Sequence, residues 1–281
     1  MCTWILATTL LLNDVGPQEG EGTAPAAASG QLEKERATDA LELCRKGANE
    51  YRLFVDDGPE LELKTEPVLR WSNPSVGSIH GAVFVWTNRG RPAAIASIYK
   101  WFEPNDHMAF EVHSLSGNSL LGKLDERLVW NSSGAGVEFK PIRSAPKAAP
   151  LAPARLTQMR NISKDFTVEK TDRDSDSRQL MRLLTQPIFR YQSDRERVVD
   201  GAIFAFVQGT DPEVFLLLEA RQEGNMSAWH YALARMDSVV FRARYKNEEV
   251  WKTEVLSWST VFDNRHPYNV LNLDHLSPHQ K

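Results

Sequence analysis

The sequence lacks the short motifs that mark the common enzyme classes. It contains no glycine-rich nucleotide-binding loop, no phosphate-binding loop, no His-Glu-x-x-His and no Gly-x-Ser-x-Gly. Its 281 residues include only two cysteines, so paired Cys-x-x-Cys motifs are impossible. These absences count against the standard forms of nucleotide-dependent enzymes, zinc peptidases and α/β-hydrolases.

The sequence has few cysteines and a small net charge, and each of these features argues against a class of interaction. If Cys2 is removed with the start of the chain, Cys44 remains alone and no intrachain disulfide can form. Cys44 lies on the apolar side of a predicted helix, so we interpret it as a small buried hydrophobe. A net charge of −4 provides no general attraction for nucleic acid or an anionic membrane, and we expect no nucleic-acid partner.

No hydrophobic run is long enough to cross a bilayer. Residues 1–12 are apolar and match the core of a signal peptide, although no Lys or Arg precedes them. A stretch rich in Gly, Pro and Ala follows. We therefore predict a signal-like segment and disordered linker over residues 1–30, and a protein exported to the periplasm, cell envelope or exterior. A cytoplasmic protein with a disordered leader is the alternative.

The most informative feature present is an internal similarity at a spacing of about 120 residues. Residues 63–99 align without a gap on residues 183–219, with eight identities in 37 positions, where ordinary residue usage gives roughly two. The identities include the Gly-Ala pair at 81–82 and 201–202. This internal similarity predicts that the chain is built from two homologous units.

Each unit is predicted to be one helix followed by antiparallel strands. Apolar residues at helical spacing predict helices near residues 37–51 and from Pro153 onward. Short alternating or apolar segments then predict four to six strands per unit, with a hairpin at residues 88–92 and another at 208–212. The predicted units are residues 31–143 and 155–262, with a Pro/Ala-rich connector at 144–154 and a partly ordered tail at 263–281.

The hairpin strands are apolar on both faces, which indicates that both faces are covered. A strand of this kind needs a helix on one face and a second layer on the other. The predicted fold class is therefore α+β, with two homologous helix-plus-antiparallel-sheet units from an internal duplication. We expect them to pack as one pseudo-symmetric body with the helices outside.

One group of residues in the first unit has the composition of a metal or acid/base site. Glu111 and His113 lie two apart on a predicted strand, so their side chains face the same way. His107 precedes that strand and His80 begins another. If these side chains meet, they offer ligands for a divalent metal, or Glu111 and His113 offer an acid/base pair. Surface or core positions that only satisfy local hydrogen bonds are the plain alternative, and no other cofactor is predicted.

Two sets of cations offer other roles. Arg70 and Arg190 occupy matched positions, which suggests a shared structural task such as pairing a carboxylate or capping carbonyl groups between strands; binding of a carboxylate or phosphate ligand is the alternative. Arg242, Arg244 and Lys246 alternate with apolar residues and so share one face of a predicted strand. A solvated face is the plain interpretation, and binding of an anionic polymer is the alternative.

Three segments resemble an uncharacterised group of predicted exported bacterial proteins. They are residues 70–74 (RWSNP), 81–86 (GAVFVW) and 209–213 (GTDPE), and the likeness runs from about residue 35 to 262. The resemblance implies export and a bacterial source. It implies no activity, substrate or catalytic residue.

These observations favour a non-catalytic binding or structural protein of the cell envelope or exterior, with a protein or glycan as a possible ligand. The alternatives are a metal-assisted or acid/base hydrolase with its site in the first unit, and an anionic-polymer-binding protein. The sequence names no ligand.

Overall fold

The computed structural model describes residues 24–56, 58–173, 175–224 and 226–276. The predicted signal-like residues 1–12 lie outside this range. The helices are α1 (Ala24–Glu50), α2 (Ala152–Lys164), α3 (Trp258–Val261) and a 3₁₀-helix (Asp274–Leu276). In the described part of the chain, no helix combines the length and the hydropathy that a bilayer span requires.

Nineteen strands are described. Those up to α2 are β1 (Tyr51–Val55), β2 (Glu62–Leu63), β3 (Leu69–Ser72), β4 (Ser78–Asn88), β5 (Arg91–Glu103), β6 (His107–Ser114), β7 (Leu120–Leu124), β8 (Arg127–Ser132) and β9 (Lys140–Pro141). Those after α2 are β10 (Phe166–Thr171), β11 (Arg178–Leu180), β12 (Arg182–Leu183), β13 (Phe189–Ser193), β14 (Val198–Gln208), β15 (Asp211–Glu223), β16 (Met226–Arg235), β17 (Val240–Tyr245), β18 (Glu248–Lys252) and β19 (Tyr268–Asn272).

The strands form two six-stranded main sheets and two small sheets, with antiparallel pairing. The first main sheet has the order β19-β6-β5-β4-β2, with β3 also paired to β4. The second has the order β12-β14-β15-β16-β9, with β13 also paired to β14. The small sheets are β1-β7-β8 and β11-β10-β17-β18. Together with the helices they make an α+β fold, as predicted.

Three apolar cores hold these layers together. One lies between α1, the first small sheet and the first main sheet, and includes Cys44, Phe84 and Trp130. Its counterpart lies between α2, the second small sheet and the second main sheet. A central core lies between the two main sheets, with Val83 on one side and Phe215 on the other. The main sheets therefore pack face to face and the helices lie outside them.

Strand β4 illustrates why these segments are apolar on both faces. Its residues alternate between two cores, because successive side chains of a strand point to opposite faces. Phe84 and Trp86 point to the helix side, and Val83 and Val85 point to the central core. The prediction that the hairpin strands are covered on both faces is confirmed.

The hairpin between β4 and β5 has a two-residue turn formed by Arg89 and Gly90. Both residues have positive φ, 50° and 87°. Two successive positive φ values are those of a type I′ turn, whose twist matches that of the flanking strands. The turn between β14 and β15 is also two residues long, with Gly209 at φ 62°.

Two short strands cross between the halves of the chain. β9 precedes α2 but pairs with β16 of the second main sheet. β19 follows the second half but pairs with β6 along the edge of the first main sheet. Part of the predicted C-terminal tail is thus a strand of the folded body. The sequence gives little sign of it because a five-residue edge strand provides too few residues for a clear alternation.

The helix boundaries also differ from the predicted ones in one place. α1 begins at Ala24, within the range 1–30 assigned to a leader and linker. Alanine, which recurs here, is the strongest helix former, and this explains the longer helix. α2 begins at Ala152 with a proline in its first turn, close to the predicted start.

Candidate functional site

The central core becomes polar at one end, where two adjoining cavities open between the main sheets. Their volumes are about 220 and 300 Å³. Both are lined by Tyr99, Trp101, Glu111 and Asp237. We call this combined space the acidic cleft. Its charged side chains are four carboxyl groups and one lysine, with one histidine at the edge: Glu111, Asp211, Glu213, Asp237, Lys170 and His107.

Strand alternation explains why polar groups reach this end of the core. On β15, Phe215 and Leu217 point into the central core, and Asp211 and Glu213 line the cleft beyond a one-residue shift in the β14–β15 register. On β5, Ile95 points into the core and Tyr99 continues its face towards the cleft. The same faces therefore run from apolar to polar along the strands.

Lys170 is the cation at the centre of the cleft's charges. Its Nζ lies 2.8 Å from Glu213 Oε1 and 2.9 Å from Asp237 Oδ2. Burial alone would lower the pKa of Lys170, but these two carboxylates outweigh it and raise that pKa. Lys170 thus balances one or two of the four carboxyl groups.

The remaining carboxyl groups have weak local partners. Tyr99 Oη lies 3.4 Å from Glu111 Oε1, and Asn73 Nδ2 lies 3.5 Å from Asp211 Oδ2. Within the described residues, Glu111 Oε2 has no hydrogen-bond partner. These long contacts leave most of the hydrogen-bonding capacity of both groups unused.

The pKa values of these acids move upward, because burial removes the water that stabilises a carboxylate. Burial raises the pKa of Glu111 well above its usual range, and the negative charges of Asp237 and Asp211 add to the rise. The pKa of Asp211 also rises well above normal, through burial and the charge of Glu213. Burial raises the pKa of Glu213 to about 7 although Lys170 opposes the shift. Strongly shifted acids gathered in a cleft are typical of a functional site.

Aromatic rings form the walls of the acidic cleft. Trp71 lies at one wall and donates its indole N–H to Ser97 Oγ at 2.9 Å. Trp101 lies between the two cavities, and its buried indole N–H has no partner in the part of the chain that the structure describes. Trp258 and Phe262 stack at the outer rim, with ring centroids 6.3 Å apart, and each is 59% exposed.

The opposite end of the central core also has a cavity, of about 470 Å³, but its charges are balanced. Glu219 is fully buried there and accepts hydrogen bonds from Arg91 Nε at 2.8 Å, Arg221 Nε at 2.6 Å and Tyr191 Oη at 2.8 Å. One carboxylate thus holds two guanidinium groups, as a buried charge requires. We call this the arginine end.

The four residues predicted as a possible metal site do not converge. His80 points to the helix side of the first main sheet, where its Nε2 lies 3.0 Å from Glu33 Oε2. Glu111 points to the opposite face of that sheet, into the acidic cleft. His107 lies at the edge of the cleft, with its Nδ1 3.3 Å from Asp274 Oδ1. Among the described residues, no group of three or more His, Cys, Asp or Glu side chains is arranged to hold a metal ion.

Glu111 and His113 share a face, as predicted, but they have different surroundings. His113 is buried beside Tyr268, with ring centroids 6.3 Å apart, and its Nδ1 lies 2.8 Å from the Ser114 carbonyl oxygen. Burial lowers the pKa of His113 to about 4. His113 is not among the residues that line the acidic cleft. The sequence thus identified one member of the site, Glu111, and paired it with a residue outside the site.

The basic strand face lies on β17, with the alternation that the sequence predicts. Phe241 and Ala243 are buried in the second core while the cations point outward. Arg242 lies 3.2 Å from Glu249, Arg244 lies 4.0 Å from Glu169, and Lys246 lies 3.7 Å from Asp165. Each cation of this face has a carboxylate nearby, so the face offers little net positive charge to a polymer.

Sequence reasoning missed Asp211, Glu213, Asp237 and Lys170. A signal existed in the 120-residue alignment, where Arg91 is matched by Asp211 and Ala93 by Glu213. A reversal of charge and a new acid at matched positions mark a place where the two halves differ in chemistry. Comparison of the chain with protein-family models, with curated proteins and with solved structures finds no match.

Proposed function

We propose that this is a non-catalytic binding protein and that its ligand is a small organic cation held in the acidic cleft. The observation that carries the proposal is the excess of acid there, four carboxyl groups to one lysine, between aromatic walls. Such a ligand combines a positive charge with an apolar body, as an amine or a quaternary ammonium does.

Burial of a carboxylate away from water is unfavourable. A carboxyl group away from water keeps its proton unless a cation replaces it. Burial raises the pKa values of Glu111 and Asp211 well above normal, so these groups keep their protons to a higher pH than exposed carboxyl groups do. A bound cation would take the place of such a proton. Binding is therefore expected to release a proton and to strengthen as the pH rises.

The aromatic walls support the same class of ligand. A cation over an indole or phenol ring is attracted by the negative face of the ring, most strongly where water is excluded. Trp71, Tyr99 and Trp101 line one cavity, and Trp258 stands at the rim of the other. Rings with carboxyl groups between them suit an alkylammonium better than they suit a hydrated inorganic ion.

Isothermal titration calorimetry with choline and spermidine tests the proposal. The control ligand is 3,3-dimethyl-1-butanol, which has the shape of choline without the charge. We expect at least one cation to bind about tenfold more tightly than the neutral control, as expected for a cation–π or ion-pair contribution of about 1.4 kcal/mol. We also expect proton release, detected as a dependence of the binding heat on the buffer.

Substitution Glu111→Gln provides the matched variant. The amide resembles the protonated acid in shape but cannot acquire a negative charge, so affinity for the cation should fall about tenfold. Glu196→Gln, which alters a carboxylate at the arginine end, is the control and should bind as the unaltered protein does. Equal affinity for choline, spermidine and the neutral alcohol would reject the cation hypothesis.

The location of the protein remains the proposal made from its sequence. We propose an exported protein, on the basis of the apolar residues 1–12 and the resemblance to an exported bacterial group. These residues lie outside the described range. N-terminal sequencing of the mature protein would test the proposal, since an intact first residue in the cytoplasm would contradict it.

We also propose that the halves of the chain descend from one duplicated unit. In its support, β4 and β14 are both 11 residues long, and β5 and β15 are both 13. The register of both pairs shifts beside matched residues, Trp86 in one and Phe206 in the other. The contacts between halves are also reciprocal. Thr210 Oγ1 donates to the Ser72 carbonyl oxygen at 2.7 Å, and Gly90 lies against the carbonyl oxygen of Gln192 at the matched place.

A further inference from the structure

A second cavity lies beneath α1, on the helix side of the first main sheet. Its volume is about 290 Å³, and we call it the α1 pocket. Its lining residues come from α1, β3 and β4: Ala37, Thr38, Ala40, Leu41, Arg70, Trp71, His80 and Gly81. It lies on the other side of the sheet from the acidic cleft, because His80 and Glu111 point to opposite sides, although Trp71 lines both spaces.

The matched place in the second half of the chain is filled by an ion pair. Asp200 is fully buried there and accepts from Arg155 Nε at 2.9 Å and from Arg190 Nε at 2.9 Å. Arg155 also donates to the carbonyl oxygens of Ala149 at 3.0 Å and Pro150 at 2.7 Å. A buried carboxylate between two guanidinium groups satisfies the hydrogen-bonding and charge needs of all three side chains.

In the first half, one of these three groups is kept and two are changed. Arg70 matches Arg190, and each pairs with the alanine of the adjacent Gly-Ala, Ala82 or Ala202. His80 stands at the position of Asp200 in the 120-residue alignment.

The third position lies on the helix. Ala40 stands eleven residues before Tyr51, where β1 begins, as Arg155 stands eleven residues before Phe166, where β10 begins. The α1 pocket is therefore the space that an arginine and an aspartate side chain occupy in the other half.

This replacement leaves Arg70 without a carboxylate. Among the residues that the structure describes, it has no hydrogen-bond or ion-pair partner. Glu33, the acid beside His80, is engaged by Arg36 Nη1 at 2.9 Å, by Ser78 Oγ at 2.9 Å and by His80 Nε2 at 3.0 Å. Arg70 is exposed to solvent and lines the open pocket without an acceptor from the described protein.

We propose that the α1 pocket binds a small organic monocarboxylate. The carboxylate would accept hydrogen bonds from Arg70, in the role that Asp200 has towards Arg190. The body of the ligand would fill the apolar space between Ala40, Leu41 and Trp71. Arginine and carboxylate form paired hydrogen bonds with fixed geometry, which makes a carboxylate the matching ligand for an unpaired guanidinium. This site is separate from the acidic cleft and does not depend on the function proposed for it.

Calorimetry with benzoate, and with benzamide as the neutral control, tests the proposal. We expect benzoate to bind about tenfold or more tightly than benzamide, since charge-assisted hydrogen bonds are about twice as strong as neutral ones. Arg70→Gln should abolish that preference. Arg127→Gln, which removes an exposed cation on β8, should leave it unchanged. Absence of benzoate binding, or an unchanged preference in Arg70→Gln, would overturn the proposal.

A second variant tests the comparison between the halves. The double substitution Ala40→Arg with His80→Asp installs in the first half the side chains that fill the second. It should fill the α1 pocket and abolish benzoate binding, while choline or spermidine binding in the acidic cleft stays the same. If the double variant does not fold, Arg70→Gln alone decides. Benzoate binding that persists in a folded double variant would contradict the assigned position of the site.

Discussion

The acidic cleft predicts an unusual dependence of stability on pH. Glu213 has a pKa of about 7 in the folded protein against an ordinary value of 4.5. Below pH 4.5 the group is protonated in both the folded and unfolded states, and above about pH 7 it is ionised in both. The stability that its protonated form contributes is therefore present below pH 4.5 and is lost as the pH rises to about 7. Glu213 therefore lowers the unfolding free energy as the pH rises over this range, whereas His113, whose pKa is lowered to about 4, raises it up to the ordinary histidine value of 6.5.

The magnitude follows from the size of the shift. A rise from 4.5 to about 7 corresponds to roughly 3 kcal/mol of unfolding free energy, at about 1.4 kcal/mol for each pKa unit. Glu213 is 4% exposed, so solvent screens this effect little. The pKa values of Glu111 and Asp211 are raised as well, and their contributions have the same sign.

Substitution Glu213→Gln isolates this contribution. The amide does not titrate, and its neutrality removes a charge that raises the pKa of Asp211. We expect the slope of the unfolding free energy against pH to be more positive in this variant than in the unaltered protein, by up to about 1.4 kcal/mol per pH unit. Urea unfolding followed by tryptophan fluorescence, between about pH 5 and pH 8 at constant ionic strength, measures the slope.

The control for this experiment is Glu126→Gln, whose carboxylate is 87% exposed. Its slope should equal that of the unaltered protein. The role assigned to Glu213 would be refuted by a Glu213→Gln slope equal to that of the unaltered protein. Absolute stability is not the readout, because the substitution also weakens the contact with Lys170.

Two further predictions concern the framework. Arg155→Met should destabilise the protein by about 3 kcal/mol in urea unfolding, because it leaves the buried carboxylate of Asp200 with one cation. The control is Arg70→Met, at the position matched to Arg190, which should change stability by less than about 0.5 kcal/mol. Gly81→Ala and Gly201→Ala should each lower stability by about 2 kcal/mol or more, since a Cβ would lie 2.3 Å from the Trp71 ring or 2.5 Å from the Tyr191 ring. The control is Gly117→Ala, which should be neutral because nothing lies within 4 Å of that Cβ. An equally mild effect at all three glycines would contradict the packing described.

The layered architecture was predictable because it depends on local patterns. A strand segment that is apolar at every position has both faces covered whatever its neighbours are, and residues 82–86 of β4 and 202–207 of β14 share this property. The helix stripe containing Cys44 likewise needs only its own spacing. Such features belong to one segment, and the sequence of that segment contains them.

The acidic cleft was not predictable, because four segments distant in the sequence contribute to it. Glu111 lies on β6, Glu213 on β15, Lys170 on β10, and Asp237 follows β16. Face-to-face packing of the two main sheets brings them together, and no single segment indicates that packing. The same limit explains the basic strand: the alternation of Arg242 and Arg244 was visible, but the carboxylates on the neighbouring strands β10 and β18 depend on register.

Differences between matched positions explain where the cavities and charges lie. The framework is kept where both halves need it, as in Gly81 and Gly201, which lie under aromatic rings. The halves differ where Arg155 is matched by Ala40. The second half has an ion pair at this place, and the first half has the α1 pocket.

Matched positions also differ at the two ends of the central core. Arg91 holds Glu219 at the arginine end, whereas its matched residue, Asp211, adds a carboxyl group to the acidic cleft. A buried charge without a partner destabilises a fold. Folding therefore does not require an excess of carboxyl groups at one end of the central core when the matched residues at the other end are balanced. The carboxyl groups of the acidic cleft are therefore the groups that the proposed cation would balance.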